Sequence, residues 1–120
     1  MITILTLLVI KHFFIDFVNQ TEQEVYEKGI YLKKYGINHS LKHGLLTIVI
    51  LLAVTKVDIA LCYLIGLIEF LVHYHIDWAK MNLNKHYNLT INDKWYWILL
   101  GFDQLLHYLT YIAILVTINV

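Results

Sequence analysis

HSLKHGLLTIVILLAVTKVDIALCYLIGLIEFLVHYHID, residues 39–77, contains two long apolar runs separated only by Lys56 and Asp58. A membrane-spanning helix needs about 20 mainly apolar residues. The runs His39 to Val57 and Ile59 to Asp77 both reach that length, so the stretch predicts a tight antiparallel hairpin of two spans. Moving outward, Ile2 to Val18 forms a shorter apolar run, and Trp95 to Ile118 forms a fourth. Trp95, Tyr96 and Trp97 open the last one with the aromatic belt of a bilayer interface. The expected fold is all-α: a four-transmembrane-helix bundle in one integral membrane domain, residues 1–120. Backbone in lipid must satisfy its own hydrogen bonds, and these runs are too long for barrel strands.

Composition supports this. The 120 residues are 59% hydrophobic and 15% charged, with nine basic and nine acidic groups. Mean hydropathy is +0.62. A chain with no net charge has no electrostatic footprint for nucleic acid, so that partner is set aside. Proline is absent, which leaves helices unbroken. The single cysteine, Cys62, lies in an apolar run and reads as a buried thiol. The run from Ile2 to Ile10 has no basic segment before it and no small-residue cleavage site after it, so it reads as a retained span.

Two polar segments connect the spans. Gln20 to Gly36 is expected to be an amphipathic helix on the membrane surface. Its acids (Glu22, Glu24, Glu27) precede its lysines (Lys28, Lys33, Lys34), which suits the helix dipole. Val25, Tyr26 and Ile30 would face lipid, and Gly36 would stop the helix. Trp78 to Lys94 is expected to be a loop, with Asp93 as the N-cap of the fourth span. Lysines concentrate in these two segments, and only Lys56 marks the hairpin turn. The positive-inside rule then places both longer loops in the cytoplasm of a bacterial inner-membrane protein, with both termini outside.

Ionisable residues inside spans are costly, about 2.5–3.5 kcal/mol each on insertion scales. Here they recur in one form. His12 and Asp16, His39 and His43, His73 and Asp77, and Asp103 and His107 are each four residues apart. That spacing puts both side chains of a pair on one helix face. In an up-down bundle, all four pairs fall toward the same end, although Asp103 lies about 12 Å past Trp95. Five histidines and three aspartates form the donor set of a divalent-metal site, zinc first, with manganese or iron as alternatives, and with room for two ions. Such a site activates water for attack on an ester or phosphoester. Gln20 and Gln104 are candidates to orient ligands. Glu69, one turn before His73, is a candidate ligand or general base, and Lys42 and Lys80 are candidate phosphate holders. The competing explanation is three local ion pairs, His12–Asp16, His73–Asp77 and Asp103–His107, which leaves His39 and His43 without an acid on their own helix. His75 and His86 read as interfacial or loop residues. Lys11 faces away from Asp16, to snorkel or to pair within the bundle.

The runs His12-Phe-Phe-Ile-Asp16-Phe-Val-Asn-Gln20, His39-Ser-Leu-Lys-His43, His73-Tyr-His-Ile-Asp77-Trp-Ala-Lys80 and Phe102-Asp103-Gln104-Leu-Leu-His107 resemble a family of small bacterial and phage membrane proteins of unknown function, the domain-of-unknown-function 3307 type. The resemblance covers nearly the whole chain, and the family's motif positions fall on all eight His/Asp residues plus Gln20, Lys80 and Gln104. A looser likeness, resting on the His/Asp pattern, is to membrane-bound metal-dependent hydrolases.

The expected function is therefore a membrane metal hydrolase acting on a lipid-linked or phosphorylated substrate. Two alternatives stand beside it. One is an ion or proton transporter, which four short spans would support only as a homo-oligomer. The other is a non-catalytic membrane protein, for example a phage factor, acting on an envelope partner.

Overall fold

The computed structural model describes residues 1–119, and among them every regular element is helical. Helix α1 (Ile2–Phe13) continues without a break into a π-helical turn, Phe14–Val18. Helix α2 is short (Glu22–Glu27), followed by α3 (Lys34–Val54), α4 (Ile59–His86) and α5 (Lys94–Ile118). Helices α3, α4 and α5 are long and apolar enough to cross a membrane.

The burial pattern is the reverse of a water-soluble domain. Fourteen polar or charged residues are buried, against nine hydrophobic ones, while leucines, isoleucines, valines and aromatics dominate the outer face. The apolar core is confined to the hairpin-turn end, where Leu8, Leu51, Cys62, Ile65, Tyr111 and Ile114 pack together. Above it the interior is made of histidines, carboxylates and lysines.

Small residues set how closely the hairpin helices approach. Gly44 on α3 faces Gly66 on α4, and a Cβ on Gly66 would meet the Gly44 carbonyl oxygen at 2.8 Å. This backbone-to-backbone contact holds the two helices close enough for their histidines to stack.

Several boundaries differ from expectation. The segment Gln20 to Gly36 is not one amphipathic helix: α2 ends at Glu27, a turn follows, and Gly36 lies in the first turn of α3. Gly36 is small because it packs against the backbone of Glu27 and Lys28. The second long helix spans 34–54 rather than 39–57. The third runs on to His86, so Trp78 to Lys85 are helical rather than loop. Its end is a Schellman motif: Asn88 takes φ 51°, Asn88 N–H donates to Lys85 O and Leu89 N–H to Asn84 O. Asp58 caps the start of α4 by accepting from Ala60 and Leu61 N–H. Asp93 does occupy the N-cap position of α5, but its carboxylate turns back and accepts from Thr90 N–H and Oγ1. At 28 residues α4 is about 42 Å long, roughly 12 Å more than a hydrocarbon core.

Candidate metal centre

The four predicted pairs meet. His12 and Asp16 come from the first helical stretch, His39 and His43 from α3, His73 and Asp77 from α4, and Asp103 and His107 from α5. All eight are buried. The π turn carries Asp16: its extra residue per turn closes with Asn19 N–H on Phe14 O at 2.8 Å. Single π turns within helices occur often at functional sites.

The three local pairs form, and Asp16 and Asp77 are in addition shared between helices. Asp16 Oδ1 lies 2.9 Å from His43 Nε2 and 3.1 Å from His39 Nε2, and its Oδ2 lies 3.1 Å from His12 Nε2. Asp77 faces two ways: Oδ2 is 3.3 Å from both His39 and His73 Nε2, and Oδ1 is 3.3 Å from His107 Nε2. Asp103 Oδ1 is 3.4 Å from His107 Nε2. The rings of His43, His73 and His107 stack in a row, with centroids 3.6 and 4.1 Å apart. His39 and His43 therefore do have acids, contributed by other helices, and the objection that they lacked one falls away.

Three overlapping groups bring their donor atoms within 4.8 Å of one another: Asp16, His39, His43 and His73; His12, His73 and His107; and Asp77, Asp103 and His107. The first is nitrogen-rich and the last carboxylate-rich. Around one ion with bonds of about 2.0–2.1 Å, neighbouring donors sit roughly 3.0–3.4 Å apart; the His–Asp contacts fall at 2.9–3.4 Å, a range that ion pairs share, except His73 to Asp16 at 3.9 Å. Orientation adds a second test. His39 Nε2, His73 Nε2, Asp77 Oδ2 and Asp103 Oδ1 are buried and within 3.4 Å of an opposite group, yet none makes an aligned hydrogen bond. Buried donors and acceptors left in this state are costly. His39 and His73 belong to the first donor group and Asp77 and Asp103 to the third, so a divalent cation in either group would give two of these residues a partner. The donor set fits one. His12 fits least well, because both its ring nitrogens are engaged, Nδ1 with Tyr111 Oη and Nε2 with Gln104 Oε1, each at 2.9 Å.

The supporting residues sort unevenly. Gln104 touches His12 and donates to Asp103 Oδ2 at 3.0 Å. Gln20 accepts from Lys28 and donates to the Asp16 carbonyl, both at 2.9 Å. Lys80 reaches Asp103 Oδ2 at 3.2 Å. Lys42 does not enter the layer; it pairs with Glu24 at 2.7 Å and bonds Asn19 at 3.0 Å. Glu69 lies outside all three donor groups and is ion-paired with Lys11. Lys11 thus pairs inside the bundle, donating also to Thr47 Oγ1 and the His43 carbonyl. His75 is exposed and bonds Tyr31 Oη at 3.0 Å.

Lys28, Glu24, Tyr111 and Lys11 belong to the site's surroundings, and the sequence reading gave them no place in the site. Lys28 is buried and lies 3.4 Å from Asp77 Oδ2. It gets there because α2 folds over the donor layer, anchored by a capping box in which Thr21 Oγ1 accepts from Glu24 N–H and Glu24 Oε2 accepts from Thr21 N–H. The T-x-x-E signature was legible at Thr21–Glu24, and Lys28 follows Glu24 by one helical turn. Burial opposes ionisation of Glu24, but Lys42 and the Thr21 N–H outweigh it and hold the carboxyl below its usual range. Beside the layer, a pocket of about 240 Å³ is lined by Gln20, Lys28, Lys80, Tyr96 and Gln104 and reaches Asp16.

The family described as Protein of unknown function (DUF3307) matches over residues 4–120. No curated protein and no solved structure matches the chain.

Proposed function

This chain belongs to the DUF3307 family, whose description assigns no activity, and from the site we propose that it is an integral membrane, metal-dependent hydrolase of a lipid-linked or phosphorylated substrate. In this reading residues 2–18 form a fourth span beside α3, α4 and α5, α2 lies at the cytoplasmic interface, and both termini lie outside. The inside-out burial supports membrane residence. The lysines of the two longer loops support the orientation. A terminal tag accessible only from the cytoplasm would overturn that orientation.

The observation that carries the metal reading is the set of four atoms, on His39, His73, Asp77 and Asp103, that lie in ion-pair contact within the layer yet make no aligned hydrogen bond. Zinc is the first choice for the nitrogen-rich group, with manganese or iron as alternatives, and the two-faced Asp77 suits a pair of ions. A bound divalent ion would supply water deprotonated near neutral pH and polarise the bond to be cut. The chain's own residues do the remainder. Asp77 and Asp103 hold Lys28 and Lys80 at the mouth of the layer, where their ammonium groups attract an anion. Gln104 fixes His12 and Asp103 relative to each other, and Tyr111 fixes the second nitrogen of His12. The apolar outer face keeps bulk water from every side except the small polar pocket.

The test is elemental analysis of detergent-purified protein together with hydrolysis assays on long- and short-chain phosphate esters. We expect stoichiometric metal and metal-dependent turnover. Metal without turnover would reduce the site to a binding centre, as in the non-catalytic alternative. A proton or ion pathway is the second reading, favoured by the buried polar chain that continues from His12 through Tyr111 and Lys11 to Glu69. Flux in proteoliposomes would favour it.

A further inference from the structure

On the outer surface between α4 and α5, an apolar groove meets the charged layer. Between α4 and α5 runs a groove of about 510 Å³, lined by Ile76, Ala79, Leu83, Phe102 and Leu106, and it includes Lys80 and Asp103. Lys80 also lines the 240 Å³ polar pocket that holds Lys28, Gln20 and Tyr96. The two cavities therefore share Lys80, one of them almost wholly apolar and the other of mixed polar and apolar lining. Toward the Trp95 end, a further cavity shares Leu83 and Leu99 with the groove.

We infer that the groove between α4 and α5 is a lateral entrance for a long-chain lipid phosphate, its headgroup held between Lys28 and Lys80 and its chain lying along Ile76, Phe102 and Leu106. The inference rests on the metal reading for the release of the two lysines and on the hydrolase reading for what happens next. Charge decides the class of ligand. Two buried or half-buried lysines flank the pocket, and each now contacts a carboxylate that the metal reading assigns to an ion. When those carboxylates bind cations, the lysines are released to pair with an anion, and a phosphate takes charge-assisted bonds from both. Depth decides lipid over soluble ester. The groove runs from Leu83 and Leu99 on the His86 side of Lys80 to Leu71 and Leu106 on the other, and the longer arm lies on the Leu71 side, so a chain laid along that arm points to the bilayer centre with its headgroup uppermost. That is the posture of a lipid in the leaflet on the α2 side.

The experiment uses the full chain in lipid nanodiscs, loaded with zinc or manganese, and a long-chain alkyl phosphate carrying a diazirine on its tail. Peptide mapping should find label concentrated on Ala79, Phe102 and Leu106 rather than on outer α3 positions such as Val49. The Lys28→Gln, Lys80→Gln double variant should label about a hundredfold less, the loss expected for two charge-assisted hydrogen bonds of about tenfold each. Ala79→Trp, which blocks the groove without touching either lysine, should also lower labelling while metal content is unchanged. Label spread evenly round the bundle, or equal labelling by a chain with a trimethylammonium headgroup, would overturn the inference. So would displacement by butyl phosphate at the concentration at which the long-chain form competes, since the pocket would then serve a soluble phosphate. Groove labelling without hydrolysis would keep this inference and end the hydrolase reading. Hydrolysis of short-chain esters with uniform labelling would do the reverse.

Discussion

Lys11 and Glu69 form an ion pair inside the bundle, one turn below the histidine layer, with side chains 3% and 1% exposed. Both side chains are withdrawn from the molecular surface, so each charge depends on the other and on neighbouring dipoles. Lys11 also donates to Thr47 Oγ1 at 2.7 Å and to the His43 carbonyl at 3.1 Å, and its ammonium lies 4.9 Å from the Tyr111 ring centroid. The pair thereby ties the first helical stretch to α3, α4 and α5 at the level where their ligands must be in register.

Breaking it from one side should be worse than removing it. Lys11→Met or Glu69→Leu alone leaves an uncompensated buried group and should destabilise the bundle by about 3–5 kcal/mol. The double variant Lys11→Met, Glu69→Leu should recover most of that loss. Unfolding in mixed micelles, run as a double-mutant cycle, measures the coupling. Additive losses would mean that the two charges do not depend on each other.

The Gly44–Gly66 contact makes a separate prediction. A side chain on Gly66 would collide with the Gly44 carbonyl and with Ile48. Gly66→Leu should therefore push α3 from α4, cost about 1–3 kcal/mol as overpacked interiors do, and lower metal content by separating His43 from His73. Gly101, whose added Cβ would meet nothing within 4 Å, is the internal control. Gly101→Ala should be neutral or slightly stabilising.

What was readable in the sequence divides along physical lines. The eight His/Asp positions were legible because a four-residue spacing fixes a helix face, and because charge in an apolar run has nowhere to go but inward. Their meeting in one layer followed from span order alone. The extent of α4 beyond Asp77 was misread, since Asn and Lys content suggested a loop. A helix end was nonetheless written at Asn88, a residue that tolerates positive φ, followed by apolar Leu89. The role of Lys28 was not legible. It depends on α2 folding back over the layer, a tertiary choice that no local pattern encodes. Lys42 and Glu69 were misplaced for a related reason: helical spacing says which face a residue occupies, but not which neighbour reaches it first. For Glu69 that neighbour was Lys11, and for Lys42 it was Glu24.

Leu32 holds the turn between α2 and α3 at φ 61° with its side chain exposed. A leucine in this left-handed conformation costs about 1–2 kcal/mol. The turn tolerates it because Leu32 N–H donates to Tyr74 Oη at 2.7 Å, tying the segment to α4. Asparagine adopts the same backbone more readily, and the exposed side chain gives up little packing. Leu32→Asn should therefore raise stability by about 0.5–1 kcal/mol with no change in metal content, as thermal unfolding in detergent would show.

Of the three donor groups, the nitrogen-rich and the carboxylate-rich should empty separately. The His39→Ala, His43→Ala double variant removes two of the four donors of the nitrogen-rich group and leaves Asp77, Asp103 and His107 in place. Asp103→Ala with His107→Ala does the converse. If the layer holds two ions, each double variant should lose about one equivalent by elemental analysis, and the two sets of losses should sum to the whole. If it holds one, either variant should lose it entirely. Acid should mimic both, because imidazoles must be deprotonated to bind metal, so metal should dissociate as pH falls and return when it is raised. Unchanged metal content in both variants would place the ion elsewhere and leave this layer as a network of imidazoles and carboxylates holding the helices together.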